Sequence, residues 1–212
     1  ASVILHESNY GIPGHAPHHE EGEEEEEEEN VRVDLEQTRV DLRGEYEFDG
    51  ALDLLKFRLA HNDYQHVELE GAEIGTVFDN RGIDARLELR AQTGPNSEGA
   101  FGVQYKDIDF DAIGDEAFVP GSSTAQTSFF TFHEWGLSDR FALQVSGRLE
   151  HQEIIADGFA SSTSVAIGGS LGAVWSLSDQ YTLSANYALT ERNPNATELY
   201  ADGEHVAVQR IE

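Results

Sequence analysis

Apolar and polar residues alternate with a period of two along 82–92. Ile83, Ala85, Leu87, Leu89 and Ala91 are apolar, and Asp84, Arg86, Glu88, Arg90 and Gln92 are polar or charged. Strand side chains alternate faces, so this stretch predicts a ribbon with one greasy and one ionic side. Its length matches the roughly 9–11 residues a tilted strand needs to cross a bilayer. The pattern recurs. In 31–48, Val40, Leu42, Gly44, Tyr46 and Phe48 oppose Asp41, Arg43, Glu45 and Glu47. Upstream, Val31, Val33 and Leu35 hold the other parity, so the phase slips near 37–39. A bulge or a change of surroundings would produce that slip. Further strands are expected from Leu55 to about Glu68, from Phe101, over 126–136, from Phe141 to about Glu150, over 165–177 and over 181–190. In 126–136 the phase is ambiguous, with Phe130 and Phe132 on one side and Phe129, His133 and Trp135 on the other. Residues 1–5 read as the end of another strand.

These make eight strands joined as a meander. Short turns are expected at Asp49-Gly50, 93–99, 137–140 and 178–180, and longer connections at 6–30, 71–81, 111–125, 157–163 and beyond Glu191. Short turns on one rim and long loops on the other are expected of outer-membrane barrels. Tyr46, Phe48, Phe101, Trp135, Phe141, Trp175 and Tyr181 fall beside the short turns, where an interfacial girdle would lie. The predicted fold class is all-β: an antiparallel up-and-down transmembrane barrel of which about eight strands are present, with long extracellular loops and short periplasmic turns. A soluble antiparallel sandwich also alternates. Ionic ladders running the full length of the strands favour the barrel.

Composition narrows the function. The net charge of −28 argues against nucleic acid and suits cations or basic partners. With no cysteine, thiol catalysis, disulfides and thiolate metal sites are excluded. The chain does not begin with methionine, so it is expected to be an interior piece of a longer protein, or one with both ends removed, with 1–212 one partial barrel domain. Nine of the ten residues 20–29 are glutamate, a like-charge block expected to be solvated and disordered.

Several stretches resemble the TonB-dependent outer-membrane receptors, in particular the zinc-uptake (ZnuD-like) branch. They are Asn9-Tyr-Gly-Ile-Pro-Gly-His15, the stretch 33–44 from Val-Asp-Leu-Glu to Leu-Arg-Gly, Val67-Glu-Leu-Glu-Gly71, 112–120, and Glu191-Arg-Asn-Pro-Asn-Ala-Thr-Glu-Leu-Tyr-Ala-Asp-Gly203 with His205. The resemblance runs over nearly the whole chain. It implies a barrel of many more strands, a plug domain, and a segment engaging the TonB energy-coupling complex. It also implies residence in the bacterial outer membrane, among its lipid, and a transported metal ion or chelate. No plug, no such segment and no terminal aromatic strand are found in 1–212, so the chain would be a central part of the barrel.

The candidate metal ligands are His15, His18, His19, Glu20 and Glu21, then His61 and Asp63, then His205. Imidazole and carboxylate are good zinc ligands, and a loop bearing five of them in seven residues could gather ions, although any His-rich tract binds metal weakly. His61 and Asp63 share strand parity and could line the external mouth, with His66 on the opposite face; simple rim polarity is the plainer reading. His133 and Glu134 are adjacent, so they face opposite sides and do not share an ion. The carboxylate-biased ladders would favour cation passage. No phosphate loop, nucleophile grouping or zinc-protease signature occurs, so no enzyme is expected. The leading expectation is uptake of zinc, as cargo rather than cofactor. A receptor for haem or a siderophore is the second expectation, and a soluble acidic cation-binding module the third.

Overall fold

A computed structural model describes residues 1–11, 31–71, 73–114, 117–201, 204–205 and 210–211. Nine strands form one antiparallel sheet in chain order: β1 (Ser2–Gly11), β2 (Val31–Glu47), β3 (Leu52–Glu70), β4 (Glu73–Gly94), β5 (Ser97–Gly114), β6 (Ser122–Ser138), β7 (Phe141–Ala156), β8 (Ser162–Ser176) and β9 (Thr182–Thr190). A short helix α1 (Ala196–Tyr200) follows, then a two-stranded piece, β10 (Glu204–His205) and β11 (Arg210–Ile211). Every connection in the large sheet is between neighbours, as in an up-and-down barrel. Among the described residues β1 and β9 are each paired on one side only, leaving the arc open.

The eight expected strands are present, and 1–5 belongs to a ninth, β1, of ten residues. Part of the expected long connection at 6–30 is therefore strand. Larger corrections fall at 71–81 and 111–125. Strands β3 and β4 run to Glu70 and Glu73, with Gly71 in left-handed backbone (φ 61°) inside the two-residue turn. Strand β5 continues to Gly114. The reason is the phase slip. Pairing of β2 with β1 and with β3 is unbroken through 37–39, so no bulge exists there. Only the chemistry of the two faces changes. Lower on the strands the outer face is apolar and the inner face ionic. Higher up, Arg32, Asp34 and Glu36 face outward and Val33 and Leu35 inward. Strands β4, β5 and β7 change in the same way, with Asp79, Asp107, Asp109, Asp111 and Glu153 outside and Phe78, Ile108, Phe110 and Ile154 inside.

The outer belt is bare. Val40, Leu59, Ile83, Leu87, Leu149, Val165, Leu171 and Leu189 are all exposed, and among the described residues no second layer covers them. That arrangement is incompatible with a soluble sandwich, whose inner faces pack on each other. Tyr46, Phe101, Trp135, Phe141 and Trp175 stand on this face toward the short-turn rim, Phe141 directly opposite Trp175. The outward parity of Trp135 also settles the phase of β6. On β4 the belt runs from Ile83 to Ala91, about 30 Å at roughly 3.3 Å per residue.

Leu87 sits at the belt's centre, so Leu87→Arg should cost about 2–4 kcal/mol of folding free energy in lipid vesicles. Arginine in place of inner-face Ser170 should cost far less. Equilibrium refolding into vesicles, followed by tryptophan emission, measures both.

Candidate functional site

The inner face carries the chemistry. Across β2–β9 its described side chains include eight basic groups: Arg39, Arg43, Lys56, Arg58, Arg86, Arg90, Lys106 and Arg148. Ten acids share it: Asp41, Glu45, Glu47, Glu68, Glu73, Asp84, Glu88, Glu98, Glu134 and Glu150. It is therefore nearly balanced. The expected carboxylate bias is slight there. The acidic excess lies on the outward skirt above the belt and in the glutamate run.

Most of these charges are engaged along the sheet. Arg39 donates to both oxygens of Asp41 at 2.8 and 3.1 Å, Lys56 meets Glu45 at 3.0 Å, and Glu88 receives Arg86 at 3.0 Å and Arg90 at 3.2 Å. Gln104 donates to both oxygens of Asp84, at 2.9 and 3.0 Å. The Arg86 guanidinium carbon lies 3.9 Å from the centre of the Phe130 ring. That ring lies over Gly102, where a Cβ would collide with the Phe130 ring and the Leu87 carbonyl oxygen. Glycine is what lets the ring lie flat beneath the cation. Beside it a hollow of about 500 Å³ opens over Ser146, Ala166, Gly168, Ser170 and Asn186, a floor of small side chains.

After β9 the chain folds inward over the upper half of this face. The Asn193 amide donates to Glu150 at 3.1 Å, and the Gln152 amide donates to the Pro194 carbonyl oxygen at 2.7 Å. Arg148 donates to Glu150 and to the Ser128 hydroxyl, both at 2.8 Å. Beneath the segment lie the buried side chains Ile154, Ala156, Gln152 and Val119. Helix α1 begins with a capping box. Glu198 N–H donates to Asn195 Oδ1 at 2.8 Å, and Asn195 N–H donates to Glu198 Oε2 at 3.0 Å. Arg192 grips the same carboxylate with both terminal nitrogens. The Tyr200 hydroxyl donates to the Ala160 carbonyl oxygen at 3.2 Å, and its ring packs on Phe159. The tail expected to be loop is thus a built inward cap. Its signal, asparagine followed three residues on by glutamate, stands in the sequence.

His15, His18, His19, Glu20 and Glu21 lie outside the described residues. His61 and Asp63 share a face as expected, but it is the outer one. His61 sits between Val40 and Ile83 in register, and Asp63 pairs with Arg81 at 3.4 Å. They do not line the inner mouth, because inner-face parity on β3 belongs to even residues. His66 has that parity. It stacks on Phe78 at 4.4 Å, with Tyr64 edge-on at 5.5 Å and Glu68 at 3.8 Å from Nε2. His205 is on β10, away from the large sheet's pairing. His133 and Glu134 do face opposite sides. His133 packs at a tilt against Trp135 outside, and Glu134 receives the Gln144 amide at 2.6 Å inside. No group of three or more metal-ligating side chains converges among the described residues.

A family model described as TonB dependent receptor-like, β-barrel, matches residues 10–210. Among solved structures the copper transporter OprC is similar, with a TM-score of 0.67 and 13% identity over 78% of this chain. The chain spans 34% of the length of that protein, and the likeness is one of fold.

Two measurements test this geometry. Gly102→Ala should displace Phe130, separate it from Arg86 and cost about 1–3 kcal/mol, read as a lower thermal midpoint. Arg192 and the Asn195 backbone N–H hold Glu198 down from its usual 4.5 to about 2. A depressed carboxylate stabilises fully above its unfolded value and loses that contribution as pH falls through the folded one. The α1 cap should therefore persist through pH 4 and open near pH 2. The Glu198 side-chain carbon shift reports the titration, and Arg192→Gln should move the midpoint upward.

Proposed function

The chain belongs to the TonB dependent receptor-like β-barrel family, and from that premise we propose that it forms part of the barrel wall of an outer-membrane uptake receptor for a metal ion or metal chelate. The observation that carries this reading is the single-layer sheet, with a bare apolar belt outside and an ionic, hydrogen-bonded face inside. Such a wall suits lipid on one side and water on the other. No bond of the cargo is broken. Binding and passage are the work, driven through the TonB complex by parts of the protein beyond this stretch. The long hairpins face the outside of the cell in this reading, and the short turns face the periplasm.

Zinc is the proposed cargo. Support comes from the histidine and glutamate side chains of His15, His18, His19, Glu20 and Glu21, a few residues after the end of β1 in the sequence. Many weak ligands on one segment raise the local concentration of an ion at the mouth. His61 and Asp63, facing outward, and His205, on β10, carry no part of this proposal.

Removing residues 12–30 from the full-length receptor should slow uptake of radiolabelled zinc at limiting concentration, while a saturating supply restores the rate. Equal rates for both proteins at limiting zinc would remove the collecting role. A rate suppressed by copper or haem rather than by unlabelled zinc would reassign the cargo.

A further inference from the structure

We propose that Arg43 and Arg58 form a binding site for a carboxylate-bearing anion on the inner face of the barrel wall. Register places Arg43 opposite Arg58, and Arg58 opposite Arg86, so three guanidiniums occupy one rung of the sheet. Side chains directly opposite have Cβ atoms about 4.5–5.5 Å apart, and like charges so placed are destabilising. Nearby acids relieve the pair only in part: Asp41 attracts both Arg43 and Arg58 without a hydrogen bond to either. Asp41, on the rung above, is clasped by Arg39 through both oxygens. On the rung below, Glu45 meets Lys56, and Glu88 takes both Arg86 and Arg90. Arg86 is further drawn away by the Phe130 ring. Arg43 and Arg58 are exposed, and neither makes a hydrogen bond or ion pair to another described side chain.

Two adjacent forks, each able to take a carboxylate in two parallel hydrogen bonds, make a receptor for a small di- or tricarboxylate. The rung lies on the lower, belt-level part of the wall. This does not rest on the identity of the metal cargo. It requires only that the two side chains face the interior.

The test uses the full-length protein in detergent micelles with propane-1,2,3-tricarboxylate as the probe. Calorimetry should show saturable binding that weakens as salt rises. Arg43→Gln together with Arg58→Gln should weaken it at least tenfold, while Arg140→Gln, in the β6–β7 turn, should leave it unchanged. Removing opposed charges relieves repulsion, so the double variant should melt no lower than the parent without the probe. The probe should raise the melting temperature of the parent alone. Absence of saturable binding in the parent, or equal binding in the double variant, overturns the proposal.

Discussion

The structure depends on an unbroken antiparallel ladder. In hydrocarbon a backbone N–H or C=O has no water to turn to, so each must be paired within the sheet. The ladder meets that demand whatever side chains it carries. It can therefore run on past the belt, through the change from apolar-out to polar-out, without a bulge at 37–39. Pairing sets the geometry, and the surroundings set which face is greasy. Here those two determinants separate along single strands, since β2, β4, β5 and β7 all change sides above the belt.

Inside, the same ladder spaces charges at fixed intervals, and their arrangement is one of local balance. Glu88 serves two arginines, Asp41 is taken by its own strand neighbour, and Glu150 ties Arg148, Ser128 and Asn193 into one cluster. A strongly acidic chain thus presents a nearly neutral interior. The inward cap then adds a packed core over β5–β8, where Ile154 and Ala156 are buried although the sheet has only one layer.

The belt was legible in the sequence because period-two alternation is local. The aromatic rows and the separation of His133 from Glu134 were legible for the same reason. The upper hairpins were not. Outward Asp79 and Arg81 beside inward Phe78 and Asn80 break the pattern of the strand below, and the eye takes the break for a loop. His61 and Asp63 were correctly given one face, but which face required the register against Val40 and Ile83. The arginine rung was invisible for a stronger reason. Arg43, Arg58 and Arg86 belong to three strands, and only pairing brings them into line. The α1 cap was the reverse case: the stretch beyond Glu191 was expected to be a loop, although Asn195 and Glu198 carry the capping signal within four residues.

The height of the wall has an electrostatic consequence. Strand β4 has 22 residues, of which nine, from Ile83 to Ala91, form the belt, so well over half of its roughly 70 Å stands clear of any low-dielectric slab. A charged solute descending the inner face would shed little hydration over that upper stretch. Its Born self-energy would rise only beside the belt, roughly two-fifths of the strand's length, where the guanidiniums and carboxylates can offset it.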